Sequence, residues 1–262
     1  MAILQYINDK LVKKGFTPFT VPLLVGYEAM EGTSYFPGGE EQAYAVGVKT
    51  PDGGIESDGK YLIGTSEVSV TSYHRDEILD EKELPKLYCG LSACFRREAG
   101  TYGKDTHGLY RIHQFQKVEQ VIICKNDEEE SKKMHQMILK NAEEVLQDLK
   151  LPYHVVAVCT GDMGLGQYYK NDIETWMPSR NSYGETHSCS TLHEFQSRRL
   201  NLRYRDADGK VKYCHTLNNT CIASPRILIP VLEMYQNPDG SVTIPEVLRP
   251  YMCGQGRIER KK

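Results

Sequence analysis

The chain has 262 residues, 40% of them hydrophobic and 26% charged, which is enough to bury a core in one large domain or two small ones. Its formal net charge of −3 excludes a global basic field for nucleic acid, so any such contact must come from a local patch. No apolar run approaches the roughly 20 residues of a membrane span, and the first residues lack a signal-peptide cleavage site, so we expect a cytoplasmic protein without membrane contact.

The first predicted element is a helix over residues 2–14, where apolar side chains recur at the helical period. Residues 15–25 contain β-favouring side chains interrupted by Pro18 and Pro22, which predicts a strand at an edge or an interface. The Gly- and Asp-rich segment 49–60 contains two turn signals and predicts a surface hairpin.

The middle of the chain alternates between strand-like and helix-like patterns. Strands are predicted at residues 61–65 and 86–95, with a charged helix over residues 74–84 between them. The clearest helix covers residues 128–149, because its apolar side chains form one stripe.

The last predicted helix lies near residues 223–236. Pro225 falls in its first turn, where a missing N–H costs little, whereas Pro230 lies deeper and should kink the helix. The other predicted strands are residues 153–162, 171–177, 198–205 and 211–217. Strands in runs with helices interspersed irregularly favour an α+β fold.

Two charged segments, "FRREAG" at residues 95–100 and "RIHQFQKVE" at residues 111–119, lie next to strand-like runs. If both are extended, alternation sends Arg96 and Glu98 to one face and Arg97 to the other. The residues that share a face in the second segment are Arg111, His113, Phe115, Lys117 and Glu119. Such a face suits an anionic ligand, because arginine can donate two hydrogen bonds to a phosphate or carboxylate. The alternative is a solvated hairpin with weak cross-strand ion pairs.

The glycine-rich segments of this chain do not match the nucleotide-binding patterns. In "GTYGKDT", Asp105 stands where a phosphate loop has Ser or Thr, and Glu98 stands where its first glycine would be. "GDMGLG" also departs from the dinucleotide pattern. A nucleotide would therefore bind to side chains that project from a sheet.

Residues 94–120, "CFRREAGTYGKDTHGLYRIHQFQKVEQ", closely resemble motif 2 of the seryl-tRNA synthetases, which belong to the class II aminoacyl-tRNA synthetases. "YLIGTSEV" at residues 61–68 resembles the family's serine-binding loop, and "HTLNNT" with the later Arg226 resembles motif 3. The resemblance extends over essentially the whole chain. It implies an α+β class II synthetase fold, with a mainly antiparallel sheet flanked by helices, and one catalytic domain over residues 1–262.

This resemblance implies an enzyme, a serine–tRNA ligase. It would activate L-serine with ATP to seryl-adenylate and transfer the seryl group to the acceptor end of tRNA(Ser). Arg96, Arg226 and Glu185 would be catalytic residues, acting through positioning and electrostatics. Mg²⁺ would accompany ATP, with oxygen ligands from Glu185 and Ser188.

The resemblance also implies where ATP binds. Arg96 would hold the α-phosphate and the serine carboxylate, while Glu98 would accept a hydrogen bond from the adenine amine. Phe115 would stack on the adenine, with Arg226 on its other side and reaching the γ-phosphate. The residues along the phosphates or the incoming acceptor end would be Lys104, His107 and Arg111; the family commonly has Arg in place of His107.

For the amino acid, the resemblance implies a small polar pocket. Thr65 and Glu67 would bind the α-ammonium. Glu119 and Thr220 would bond the serine hydroxyl, with Asn218 close to them. Alanine would leave these buried polar groups unpaired and would be rejected, often by about 10⁴-fold.

Residues 7–22 resemble motif 1, the dimer interface of class II synthetases, and imply a homodimer. The N-terminal helical hairpin with which the family binds the long arm of its tRNA has no counterpart here. We therefore expect either a catalytic-domain fragment or a naturally short relative.

The short relatives provide the main alternative, an amino acid:carrier-protein ligase that charges a phosphopantetheine thiol and holds its amino acid through zinc. The intact set of serine residues favours the synthetase. A catalytically silent paralogue would have lost an ATP-contacting arginine, and none is lost. A general single-stranded RNA-binding module would need aromatic and basic residues interleaved on one face.

The eight cysteines include no CxxC pair, and several lie in apolar runs, which favours buried free thiols over disulfides. Zinc bound by Cys189 with His187, or by Cys214 with His215, stays open as an alternative. Because the spacing is wrong for a structural zinc finger, we expect no zinc.

Overall fold

The computed structural model of the protein describes residues 1–100 and 108–260. The helices are α1 (Ala2–Lys13), α2 (Tyr27–Gly32), α3 (Glu67–Ser72), α4 (Glu128–Asp148), α5 (Phe195–Arg199) and α6 (Leu228–Met234). The strands are β1 (Thr17–Phe19), β2 (Leu24–Gly26), β3 (Tyr44–Lys49), β4 (Ile55–Leu62), β5 (Ile78–Asp80), β6 (Lys86–Phe95), β7 (Gln114–Cys124), β8 (Tyr153–Ala157), β9 (Tyr169–Met177), β10 (Ser182–His193), β11 (Arg203–Arg205), β12 (Val211–Tyr213), β13 (His215–Ser224), β14 (Val242–Thr243) and β15 (Arg257–Ile258).

A seven-stranded sheet in the order β1-β6-β7-β13-β10-β9-β8 is the centre of the fold. β1 pairs with β6 in parallel, and each of the other neighbouring pairs is antiparallel. Three smaller sheets accompany it, in the orders β2-β4-β3, β12-β11-β5 and β14-β15. The predicted α+β architecture, a mainly antiparallel sheet with flanking helices, is confirmed.

Helices α1 and α4 pack on one face of the large sheet. The predicted stripe of α4 is buried there, and it includes Met134, Ile138 and Val145. Asp127 caps this helix, because its side chain accepts a hydrogen bond from the Glu130 backbone N–H at 2.7 Å. One side of the sheet is therefore closed by an apolar layer.

Strand β7 shows how the two faces of the sheet differ. Val118 and Ile122 point into the apolar layer under α1 and α4. Lys117 and Glu119 alternate with them and point to the opposite face, where they line a cavity. The two-residue period of a strand thus separates the core from a polar site.

Several predicted elements are confirmed with shifted boundaries. β3 and β4 form the surface hairpin, and their turn is closed by a hydrogen bond from Thr50 N to Gly54 O at 3.0 Å. The strand predicted over residues 15–25 is divided: β1 is an edge strand of the large sheet, and β2 joins another sheet. The strand predicted over residues 61–65 is the end of β4, which stops at Leu62.

The charged helix predicted over residues 74–84 is wrong. This segment contains β5, which pairs with β11 in parallel, and a single turn of 3₁₀-helix at Glu81–Glu83. Leu79 is buried while its neighbours Ile78 and Asp80 are exposed, the pattern of a short strand. The pairing with a distant strand outweighs the local helix preference of the charged residues.

The strand predictions also missed β10, which runs for 12 residues from Ser182 to His193. The strand predicted over residues 198–205 contains the end of α5 and only the short β11. β10 carries polar residues towards the cavity and a bulge in its middle, so its sequence lacks a regular apolar alternation.

The C-terminal helix is shorter than predicted, because β13 continues to Ser224 and α6 begins at Leu228. Pro230 is therefore in the first turn of α6 and removes no internal hydrogen bond, so the predicted kink is wrong. No helix of the described residues is both long and apolar enough to cross a membrane.

Candidate active site

A cavity of about 630 Å³ opens on the face of the sheet that α1 and α4 leave uncovered. Side chains from β7, β10 and β13 line it, together with the segments that follow β4 and β6. The predicted site residues that line it are Thr65, Glu67, Arg96, Glu98, Arg111, Phe115, Glu119, Glu185, Ser188, Asn218, Thr220 and Arg226. Lys104 and His107 lie outside the described residues.

Arg96 and Phe115 occupy the same side of the sheet, with the guanidinium carbon 5.4 Å from the ring centroid. The Arg96 Nε–H also donates to the Gly64 carbonyl at 3.3 Å. β6 ends at Phe95, so Arg96 and Glu98 belong to the following loop rather than to a strand. Arg96 and Glu98 do line the same cavity, but strand alternation was the wrong reason for predicting it.

His113 does not line the cavity, contrary to the shared face predicted for residues 111–119. It precedes β7, and its Nδ1 forms a hydrogen bond with the Tyr44 hydroxyl at 2.6 Å. Arg111, also outside the strand, does line the cavity and donates from Nη1 to the Glu98 carboxylate at 3.0 Å. Glu98, which we predicted to contact the adenine, is thus paired with Arg111, which we predicted to contact the phosphates or the acceptor end.

A buried ion pair forms the floor of the predicted serine pocket. Lys117 Nζ lies 2.5 Å from Glu119 Oε2, with exposed side-chain fractions of 5% and 2%. The Thr220 hydroxyl donates to the same carboxylate oxygen at 3.3 Å. Each charge thus has an opposite charge beside it, which offsets part of the cost of removing both from water. The sequence did not suggest a role for Lys117 beyond its position on this face.

Glu67 is the first residue of α3 and its carboxylate is held by two side-chain amides. Asn218 Nδ2 and Gln196 Nε2 each donate to Glu67 Oε1 at 2.7 Å. Burial, and then the nearby Glu119 carboxylate, raise the pKa of Glu67 to about 7. This residue is therefore a carboxylate whose charge is sensitive to its surroundings near neutral pH.

A bulge in β10 brings the two predicted metal ligands to the same cavity. The register with β9 shifts between Glu185 and His187, so Glu185 and Ser188 both face inward although they are three residues apart. Carboxylate and hydroxyl oxygens are ligands that suit a hard divalent cation. Within residues 1–100 and 108–260, no cluster of three or more His, Cys, Asp or Glu side chains could hold a metal ion.

Arg226 reaches the cavity from the turn between β13 and α6. Its Nη1 donates to the Glu185 carbonyl at 3.1 Å and lies 3.5 Å from the Glu185 carboxylate. Its guanidinium lies 4.4 Å from the centroid of the Tyr110 ring, and Arg180 approaches that ring at 4.3 Å. Tyr110 and Arg180 were not predicted, because their only signal is proximity in the fold.

Residues that no motif indicated also line the cavity or support a residue that lines it. Tyr35 lines it and packs against Gly64, where a Cβ atom would approach the Tyr35 ring to 3.1 Å. Gln196 is 1% exposed and contacts Glu67. Both come from segments without a periodic pattern, so sequence reasoning had no basis for selecting them.

The cysteines within the described residues are free thiols, and those at 89, 94, 124, 189, 214 and 221 are buried. Burial raises the pKa of the Cys89 thiol to about 11 and of the Cys124 thiol to about 12. His187 is fully buried, and its pKa is lowered to about 3. Such groups behave as parts of the core.

The similarity to known proteins extends along the chain. The sequence profile described as the tRNA synthetase class II core domain (G, H, P, S and T) matches residues 52–235. A serine–tRNA ligase of Deinococcus radiodurans is 49% identical over 255 residues, which cover 97% of this chain and 58% of that protein. The chain thus spans 58% of the length of this curated relative.

Two solved structures have the same fold. One is the seryl-tRNA synthetase from Pyrococcus horikoshii complexed with ATP, with a TM-score of 0.92 and 44% identity over 100% of this chain and 56% of that one. The other is the cytoplasmic serine–tRNA ligase from Naegleria fowleri in complex with AMP, with a TM-score of 0.90 and 39% identity over 100% of this chain and 53% of that one. The predicted class II synthetase fold is confirmed.

Proposed function

The chain belongs to the family of class II tRNA synthetase core domains, and on this premise we propose that it activates L-serine with ATP and transfers the seryl group to tRNA(Ser). The observation that carries the proposal is the placement of Arg96 and Phe115 in one cavity with Glu67 and Glu119. Cationic and aromatic groups suit a nucleotide, and the carboxylates suit a small polar amino acid. The names of its relatives favour the same activity over the carrier-protein ligase.

In the activation step, a serine carboxylate oxygen attacks the α-phosphorus of ATP and pyrophosphate leaves. Arg96 would hold both reacting groups and stabilise the charge that develops on the phosphoryl oxygens. Phe115 and Arg226 would enclose the adenine, and Glu98 would accept from its amine. Arg111 would exchange its contact with Glu98 for the phosphates or the acceptor end.

We also propose that Glu185 and Ser188 hold Mg²⁺ when ATP is bound. Both residues line the cavity, and their oxygen atoms fit a hard cation. The ion would neutralise the phosphate charge. Arg226, which lies 3.5 Å from Glu185, would approach the same phosphates and supply further positive charge.

Serine selection would depend on groups that are wholly or partly buried before the substrate arrives. Thr65 and Glu67 would bind the α-ammonium, while Glu119 and Thr220 would bond the hydroxyl, with Asn218 beside them. Alanine offers no hydroxyl to Glu119 and Thr220 and would lack the hydrogen bonds that serine is proposed to form with them. Threonine has the hydroxyl but adds a methyl group, which must be excluded by shape.

The test is pyrophosphate exchange with ATP and each of serine, threonine, alanine and glycine. We expect exchange with serine, and slower exchange with alanine by about 10⁴-fold. Exchange with glycine or alanine in a protein that contains stoichiometric zinc would instead support the carrier-protein ligase. Absence of exchange with all four amino acids would leave the catalytically silent paralogue.

Three further proposals concern the whole protein. We propose that residues 1–262 are one catalytic domain, that it acts as a homodimer through the region of residues 7–22, and that it works in the cytoplasm. The resemblance to motif 1 supports the dimer. Aminoacylation of tRNA(Ser) by the purified chain tests the transfer step directly.

A further inference from the structure

Gln196 lies in α5 and touches the predicted ammonium-binding residue from behind. It is 1% exposed, and its Nε2 donates to Glu67 Oε1 at 2.7 Å. Asn218 donates to the same oxygen at 2.7 Å, but Asn218 lines the cavity whereas Gln196 does not. Gln196 therefore supports the carboxylate without being available to the substrate.

The surroundings of Gln196 fix the direction of its amide. Thr216 donates from its hydroxyl to Gln196 Oε1 at 2.7 Å. At the other end of the amide, the ionised Glu67 carboxylate and the Thr33 carbonyl, 3.4 Å away, can only accept hydrogen bonds. A flipped amide would put its oxygen against two acceptors, so the NH₂ group must face Glu67.

The charged and titratable groups around Glu67 act in opposite directions. Glu119 repels its charge, while Lys117 and Arg96 attract it, and Tyr35 is also close enough to interact. The hydrogen bond from Gln196 favours the ionised form and partly offsets burial, which favours the neutral form. Without this donor, burial and the Glu119 charge would raise the pKa of Glu67 further.

We propose that Gln196 is a positioning residue, whose amide, oriented by Thr216, favours the ionised form of the Glu67 carboxylate and aims it at the cavity. The part of this inference that concerns serine rests on the proposed function. Gln196 would not touch serine, ATP or the adenylate. Its effect would reach the amino acid through the charge and direction of a single carboxylate.

The first experiment needs no substrate. The titration of the Glu67 side-chain carboxylate is followed by carbon NMR in the full chain, with Glu67→Gln to identify its signal. Gln196→Met, which keeps the length and loses the amide, should raise the titration midpoint by about one pH unit, the equivalent of one hydrogen bond to a charged group. Thr216→Val should raise the titration midpoint less, because it keeps the Gln196 amide and removes only the hydrogen bond that orients it.

The second experiment measures serine-dependent pyrophosphate exchange. Near neutral pH, Gln196→Met should raise the KM for serine about tenfold and change the KM for ATP by less than about twofold. The pH dependence of kcat/KM for serine should move upward together with the titration midpoint. In a Glu67→Gln background, Gln196→Met should raise the KM for serine by less than about twofold, because the two residues act on one contact.

The outcomes separate the two proposals. An unchanged Glu67 titration in Gln196→Met would overturn the positioning role whatever the enzyme catalyses, as would equal losses for serine and ATP. The wild-type chain could exchange pyrophosphate with no amino acid while Gln196→Met still shifts the Glu67 titration. That result would uphold the positioning role and overturn the proposed function. If Gln196→Met does not fold, Thr216→Val carries the same readouts, because valine nearly matches threonine in shape.

Discussion

Glu67 is a carboxylate in a place that disfavours its negative charge. Its pKa of about 7 lies above the ordinary value of 4.5, so the folded protein binds this proton more tightly than the unfolded chain. Stability from this group is therefore complete below pH 4.5 and is lost as the pH rises through about 7. The free protein is destabilised at neutral pH by a residue that the proposed reaction needs.

Replacing Glu67 with glutamine tests how much the Glu67 charge destabilises the folded protein. The amide oxygen of the new side chain can accept from Asn218 and Gln196 as before, but it carries no charge. We expect the Glu67→Gln variant to gain roughly 1–3 kcal/mol in unfolding free energy at about pH 8, with no gain below about pH 4.5. Urea unfolding of both proteins at the two pH values measures the difference, and serine-dependent exchange by the variant should be slowed but still measurable. A gain that is equal at both pH values would show that the charge is not its cause.

Sequence reasoning found the cavity residues that carry charge, and missed those that support them. Arg96, Phe115 and Glu119 lie in a recognisable motif, and the structure brings them together. Gln196 has no such signal, since a glutamine next to "SRR" is indistinguishable from a surface residue until α5 packs behind Glu67. Support of this kind depends on contacts between residues far apart in the chain, here 129 positions.

At the scale of elements, a row of buried amides joins the helices to the sheet. Asn141 of α4 donates to Gln120 Oε1 at 2.7 Å, and Gln120 of β7 donates to Asn219 Oδ1 at 2.6 Å. Asn219 of β13 then donates to the backbone carbonyl of Ser188 in β10 at 2.9 Å. The row fixes β10, which carries the proposed metal ligands, relative to α4.

Breaking this row should destabilise the protein. Asn141→Leu keeps the branched shape of the side chain but leaves Gln120 Oε1 without its donor, and we expect a loss of about 1–3 kcal/mol in unfolding free energy. Gln147→Leu removes an exposed amide from the same helix and should cost less than about 0.5 kcal/mol. Urea unfolding of the two variants provides the comparison. Equal losses would mean that the buried amides contribute nothing beyond their packing.

The element predictions succeeded where a local pattern and the tertiary contacts agree. The apolar stripe of α4 and the apolar run of β6 were sufficient to predict these two elements, because each element buries one face against the same core. The segment containing β5 was misassigned because its strand partner, β11, lies more than 120 residues away. β10 was missed because its inward side chains serve a polar cavity instead of an apolar layer.

At the scale of the whole molecule, apolar side chains remain exposed within and directly after residues 7–22, the segment that resembles motif 1. Val12 is 43% exposed, Leu23 36% and Leu24 45%. Exposed apolar groups near one another in sequence agree with an interface between subunits, although scattered ones are normal on any surface. The proposed homodimer would cover them.

Light scattering at micromolar concentration tests this assembly. We expect a dimer, and we expect Leu24→Asp to weaken it by at least about tenfold in Kd, since a charge would enter an apolar contact. Val211→Asp places the same change on exposed β12, remote in sequence from the segment, and should leave the dimer intact. A monomer with full exchange activity would contradict the proposal.

The buried Lys117 has a consequence for which small molecules the pocket can retain. Because its ammonium already balances Glu119, Glu67 is the carboxylate of the predicted serine pocket that remains to balance a positive charge brought in from outside. An analogue of serine with a second ammonium in place of the hydroxyl would place like charges side by side in a region that water barely reaches. The cavity would thus reject diaminopropionate by electrostatic repulsion, although its size is nearly that of serine.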